Sequence, residues 1–147
     1  MHLVSRCLVK QADHIAANAD RLRRLNEAVG WSHDLRLHQW AHFYALAREY
    51  QPDLVIEFGR GYGNSTCAFA EALGGCDRSS RLVSLCNSAS WTDVTLPRLK
   101  DLVDAAWLAR IEVRTGDIRD FDLAESLARR THVGRSCSRA PRFLDFG

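Results

Sequence analysis

The sequence predicts an α/β fold, a doubly wound parallel sheet preceded by helices. Three observations carry that prediction. A short apolar run, Leu-Val-Ile within Asp53-Leu-Val-Ile-Glu57, leads into three glycines within five residues. Helix-like and strand-like stretches then alternate up to Thr115. Ahead of them lie two stretches whose apolar residues recur at helical spacing.

The elements follow in order. Over residues 11–29, Ile15, Ala16, Leu22, Leu25 and Val29 recur at helical spacing, and Gly30 is a natural stop. Ser32 is a candidate cap for a second helix, whose broad apolar face holds Leu35, Leu37, Trp40, Phe43, Tyr44 and Leu46. Pro52 ends it, because proline pushes the preceding residue out of the helical region. Residues 53–57 then suit a strand buried on both sides of a parallel sheet. Asn64, Ser65 and Thr66 can cap a helix running through Cys67, Phe69, Ala70 and Leu73 to Gly74-Gly75. Arg81–Cys86 reads as the next strand and residues 95–107 as a helix that tolerates Pro97 in its first turn. Ile111–Thr115 alternates as a third strand, followed by Gly116-Asp117. The organisation expected is a helical segment at 1–52, a partial sheet domain at 53–128 and an irregular tail at 129–147.

Bulk properties narrow the class. The 147 residues suffice for one ordinary domain, and 46% hydrophobic with 26% charged residues is the balance of a soluble globular protein. No run of about 18 apolar residues occurs and the start lacks a signal-peptide pattern, so no membrane partner and a cytoplasmic location are expected. The net charge of +2 and the scattered arginines argue against a nucleic-acid partner, and Arg21, Arg23 and Arg24 read as a solvated helix face. Five cysteines without Cys-x-x-Cys spacing suggest reduced, mostly buried thiols rather than a disulfide framework or a metal site. His33, His38 and His42 read as surface histidines, Trp40, Trp91 and Trp107 as core or rim aromatics, and Cys86 as a small buried apolar group.

The chemistry concentrates in Glu57-Phe-Gly-Arg-Gly-Tyr-Gly63. A strand brings the chain to the carboxyl edge of the sheet, where ligands bind in such folds. Gly59, Gly61 and Gly63 permit backbone angles barred to other residues and leave room for a ligand against the main chain. The helix beginning near Asn64 offers free N–H groups at the same place. A dinucleotide loop reads G-x-G-x-x-G, but Asn64 stands where its last glycine belongs, which disfavours an NAD-dependent oxidoreductase. The bland alternatives are a strand-to-helix turn without a ligand and, for Asp117, a simple helix cap.

The pattern Glu57-x-Gly59-x-Gly61-x-Gly63 resembles the first motif of class I (Rossmann-like) S-adenosylmethionine-dependent methyltransferases, and the longer string Val55–Thr66 resembles their small-molecule branch. The resemblance covers roughly residues 53–122. It implies a three-layer Rossmann-like sheet, S-adenosylmethionine as cofactor and a small-molecule methyl acceptor. Carried over, Gly59, Gly61, Tyr62, Gly63, Asn64 and Ser65 line the methionine and ribose part of the cofactor, with Glu57 ordering the loop and the methionine amine. Asp117 and Ile118 would lie at the adenine. Many members end the second strand with an acidic residue for the ribose; here Leu85-Cys86-Asn87 leaves Asn87 for that contact, without charge.

The tail breaks the pattern. A fourth strand beside the first is needed, yet residues 129–142 carry five arginines among small residues and show no periodicity. Three strands would leave apolar surface exposed along the first, for an oligomeric partner to cover. The sequence is therefore expected to be incomplete, truncated or frameshifted after the third strand. If Arg139–Asp145 is encoded CGT GCT CCT CGT TTT CTG GAC, a one-base shift reads Val-Leu-Leu-Val-Phe-Trp, a credible buried strand. On this reading a truncated, non-catalytic cofactor-binding module is the alternative to a methyltransferase, and no catalytic base can be named.

Overall fold

The structure, a computed structural model, describes residues 3–31, 33–76, 80–122 and 124, and the backbone of 143–146. Three helices open the chain: α1 (Leu3–Lys10), α2 (Ala12–Ala17) and α3 (Ala19–Val29). The helix expected over 11–29 is thus two, meeting at Asn18, whose side chain bonds back to the His14 carbonyl at 2.8 Å. Gly30 ends α3 in the left-handed region (φ 69°), as its position after the last apolar residue suggests.

The second long helix, α4 (Leu37–Tyr50), starts at Arg36, whose backbone N–H donates to the Gln39 side chain at 2.9 Å. Ser32, the expected cap, lies outside the described residues. Gln51 closes α4 at φ 45° immediately before Pro52, so helix end and proline coincide as predicted.

The sheet and its crossovers follow: β1 (Leu54–Phe58), α5 (Asn64–Leu73), β2 (Arg81–Cys86), a π-helical turn (Trp91–Thr95) running into α6 (Leu96–Leu99), α7 (Ala105–Leu108), β3 (Ile111–Thr115), a 3-10 turn (Ile118–Asp120) and β4 (Phe143–Phe146). The single helix expected over 95–107 is broken. The chain turns between Leu99 and Asp104, and the Asp104 carboxylate caps α7 by accepting from the Trp107 N–H at 2.7 Å.

Four parallel strands lie in the order β3-β2-β1-β4. This corrects the expectation of a sheet that stops at three strands before an irregular tail. Phe143–Phe146 pairs in parallel with Leu54–Glu57, so β1 has a neighbour on each side. Four residues with no alternating pattern carry too little local signal; pairing with a distant strand makes them an element.

β1 and β2 are buried on both faces. On one, Val55 and Leu82 pack with Phe69, Leu73, Trp40, Trp91 and Leu25 in one continuous core, so the N-terminal helices and the sheet share an interior. On the other, Leu54, Ile56 and Val83 pack with Phe58 and Phe121. Trp40, Trp91 and Trp107 are all buried, in keeping with their expected core role. No helix among the described residues is long and apolar enough to cross a membrane.

Candidate functional site

Parallel pairing sends β1, β2 and β3 to the same edge of the sheet. The loops that follow them therefore meet there, carrying Gly59–Gly63, Asn87 and Asp117. The chain winds from β1 outward to β2 and β3, then returns to the far side of β1 as β4. The reversal puts a topological switch point at the carboxyl end of β1, the place where open α/β sheets take ligands. The glycine loop occupies it.

The three glycines share a left-handed backbone, with φ of 85° at Gly59, 53° at Gly61 and 90° at Gly63. Their surroundings differ. A Cβ on Gly59 or Gly61 would meet nothing within 4 Å, so both edge open space. A Cβ on Gly63 would fall 2.3 Å from Cε3 of Trp91. Gly63 is therefore a packing position, whereas Gly59 and Gly61 leave main chain accessible to a ligand.

Glu57 anchors the loop from below. It is 6% exposed, and its carboxylate accepts from Ser65 Oγ at 2.5 Å, Thr66 Oγ1 at 2.6 Å and Ser84 Oγ. One buried carboxylate thus ties β1, β2 and the first turn of α5 together. Its oxygens are committed to these hydroxyls, so it orders the loop from within the protein. Ser65, expected to face a cofactor, spends its hydroxyl on the same carboxylate.

Asn64 is also redirected. Its side chain is fully buried and points to the N-terminal helices: Oδ1 accepts from Trp40 Nε1 at 3.1 Å, and Nδ2 donates to the Trp31 carbonyl at 3.0 Å. What Asn64 and Ser65 present to the loop is the main chain at the start of α5. Tyr62 stacks on Trp31, with ring centroids 4.6 Å apart and planes 14° from parallel. Its carbonyl accepts from Thr95 Oγ1 at 2.7 Å, tying the loop to the π-helical turn.

Arg60, between the first two glycines, was not singled out in the sequence. It is 2% exposed, with Nη1 donating to the Ser84 carbonyl at 2.8 Å and Nε unpartnered. Burial pulls its guanidinium below the usual value, while Cys86 and Glu57 act in the opposite sense. A readable clue to this bracing existed: Ser84 is a lone hydroxyl within an apolar strand, in register with Glu57. Trp91, which sets the requirement for Gly63, lies too far along the chain to be signalled locally.

The remaining expected residues stand at the same edge. Asn87 is exposed just past β2. Asp117 follows β3 and caps the 3-10 turn, accepting from the Arg119 N–H at 2.9 Å and pairing with Arg119 Nη2 at 2.7 Å. Those contacts hold its carboxyl below the usual range. The simpler role of a cap is therefore realised at Asp117, and Ile118 beside it is 54% exposed. His38 and His42 touch edge to face on α4, while His33 precedes that helix; among the described residues no three potential ligands converge on a metal position.

No protein-family profile and no curated protein matches the chain. Solved structures do. The O-methyltransferase TomG from Streptomyces achromogenes, involved in tomaymycin synthesis and solved with SAM, superposes with a TM-score of 0.55 at 18% identity, covering 99% of this chain and 62% of its own. An SAH-bound methyltransferase from Podospora anserina gives 0.52 at 20%, covering 76% and 51%. An O-methyltransferase from Bacillus cereus, with SAH, gives 0.52 at 21%, covering 78% and 49%. The chain thus has the Rossmann-like fold of these enzymes and spans about half to three fifths of their length.

Proposed function

We propose that this chain binds S-adenosylmethionine at the glycine loop and serves methyl transfer to a small-molecule acceptor. The observation that carries the reading is the open main chain of Gly59 and Gly61 at the switch point, held by the buried Glu57. The fold neighbours solved with SAM or SAH support it.

The residues divide the work. Gly59 and Gly61 admit the cofactor against the backbone, with Tyr62 and the first N–H groups of α5, at Asn64 and Ser65, beside them. In this reading Asn87 serves the ribose hydroxyls, and Asp117 with the exposed Ile118 serves the adenine. Glu57 and Gly63 act through the loop: one ties it to α5 and β2, the other lets Trp91 pack beneath it. Bound, the sulfonium supplies an already activated methyl group, so the protein's task is to hold donor and acceptor in line and close. A dinucleotide is disfavoured because Asn64, in place of the last dinucleotide glycine, is clasped by Trp40 and Trp31. The reading includes a cytoplasmic setting with reduced thiols and no nucleic-acid or membrane partner.

Calorimetric titration with S-adenosylhomocysteine tests it. Saturable binding that is lost in Gly61→Val, with circular dichroism unchanged, is the expected result. Binding of NAD in its place overturns it. Binding without methyl transfer to any of a panel of hydroxylated small molecules would favour a module that only holds the cofactor.

A further inference from the structure

A cavity lies at the end of α5 away from the glycine loop. The helix carries the chain about 15 Å away from the glycine loop, to Gly74-Gly75. There a cleft of about 690 Å3 opens between α2–α3, α4 and the 101–110 segment. It holds three arginines, Arg21, Arg48 and Arg110, and three carboxylates, Glu71, Asp101 and Asp104, with Tyr44 on the wall and His14 at the mouth.

The balanced count hides an imbalance in pairing. Glu71 is committed: Arg21 Nε lies 3.3 Å from it and Trp107 Nε1 donates at 2.9 Å. Asp104 is committed to capping α7. Asp101 is exposed at the rim. Arg48 and Arg110 have no carboxylate partner among the described residues. Arg110 Nη1 reaches only the neutral Ala106 carbonyl, at 3.2 Å, and Arg48 Nε is shielded from solvent without any partner.

Capping the carbonyl end of α5 does not account for these two cations. The carbonyls of Ala70, Ala72 and Leu73 already accept from the N–H groups of Gly74, Gly75 and Cys76. Gly75 instead makes room for a guanidinium group: a Cβ there would lie 1.9 Å from Arg48 Nη1. Arg110 Nη1 approaches the neighbouring Gly74, 3.9 Å from where a Cβ would stand. Burial pushes the Cys76 thiol up, opposed by the charge of Arg48 and its hydrogen bond to the thiol and by the charge of Arg110. Two guanidinium groups without a carboxylate partner therefore line the same cavity, which also presents the buried Tyr44.

We propose that this cleft binds the phosphate group of a small phosphate monoester through Arg48 and Arg110. Planar guanidinium forks match tetrahedral oxyanions and donate strong charge-assisted hydrogen bonds. A volume in the range of ordinary ligand pockets leaves space beyond the phosphate for a small organic body, alongside Leu102 and Val103. The site is separate from the glycine loop and does not depend on what binds there.

The test is calorimetric titration of the full chain, in low-chloride buffer, with glycerol 3-phosphate and, separately, inorganic phosphate. Saturable one-to-one binding is expected, weakened at least tenfold by Arg48→Gln or Arg110→Gln and abolished in the double variant. Asp101→Asn keeps both arginines and removes a rim carboxylate, so it should bind more tightly, which guards against a folding failure in the arginine variants. Tighter binding of glycerol 3-phosphate assigns the site to monoesters, and equal affinity assigns it to free phosphate. Failure of both anions to saturate, or unchanged affinity in the double variant, overturns the proposal.

Discussion

Replacing Gly63 with alanine should destabilise the fold, whereas the same change at Gly61 should chiefly disturb what binds there. Both positions are left-handed, so each alanine carries a backbone penalty of about 1–2 kcal/mol, offset by roughly 0.4–1 kcal/mol from a less flexible unfolded chain. Only Gly63 adds a collision, because its new methyl would lie 2.3 Å and 2.4 Å from two ring carbons of Trp91. Ordinary carbon contacts lie at about 3.5–4.0 Å, so ring or loop must shift by more than about 1 Å. Trp91 is 1% exposed and bounded by the core, and such overpacking costs about 1–3 kcal/mol. Gly63→Ala should therefore lose about 2–4 kcal/mol, a large part of a typical domain's stability, and Gly61→Ala less than about 1.5 kcal/mol. Urea unfolding followed by tryptophan fluorescence measures both. Trp91→Leu in the Gly63→Ala background should relieve the collision, so the double variant should cost about 1–3 kcal/mol less than the two singles together. Equal losses at the two glycines, or strict additivity with Trp91→Leu, would refute the division of roles.

Three further outcomes follow from the same contacts. Asn64→Ala removes the acceptor for the buried Trp40 Nε1, which should cost about 1–3 kcal/mol in denaturant unfolding and shift the near-ultraviolet tryptophan signal. Asp117→Asn should alter the acid limb of stability. Because Arg119 lowers the folded pKa of Asp117, the contribution is present above the unfolded value of about 3.9 and is lost as pH falls through the folded value. The wild-type advantage over Asp117→Asn should thus be constant near neutrality and shrink in strong acid, as unfolding midpoints measured across pH would show. Cys67 is fully buried, and burial raises its thiol pKa well above the ordinary value, with Glu57 and Glu71 adding to it. Mass spectrometry after brief alkylation should find it unmodified in the native protein and modified in urea; rapid native labelling would contradict the packing of α5 against the sheet.

Local pattern alone determined a good deal of this protein. The apolar run at β1, the glycines after it and the strands β2 and β3 fall where the sequence reading puts them, within a residue at β1. These features are local: buried parallel strands must be apolar, and a tight turn into a helix needs residues tolerant of positive φ. Gly30 and Pro52 likewise mark helix ends through their own backbone chemistry.

Tertiary contacts decided the rest. The fourth strand exists because β1 offers an edge, which Phe143–Phe146 takes although its sequence lacks a strand pattern. Asn64 carries the composition of a helix cap, yet Trp40 and Trp31 arrive from the N-terminal helices and claim its amide. Glu57 is conspicuous in the motif, but only folding brings Ser84 and the first turn of α5 to its carboxylate. The three glycines look alike in sequence, and Trp91, 28 positions further on, separates Gly63 from the other two. Backbone freedom and hydrophobic periodicity are properties of a short stretch of chain. Which groups a buried side chain meets depends on segments far apart in sequence, and that only the assembled core can determine.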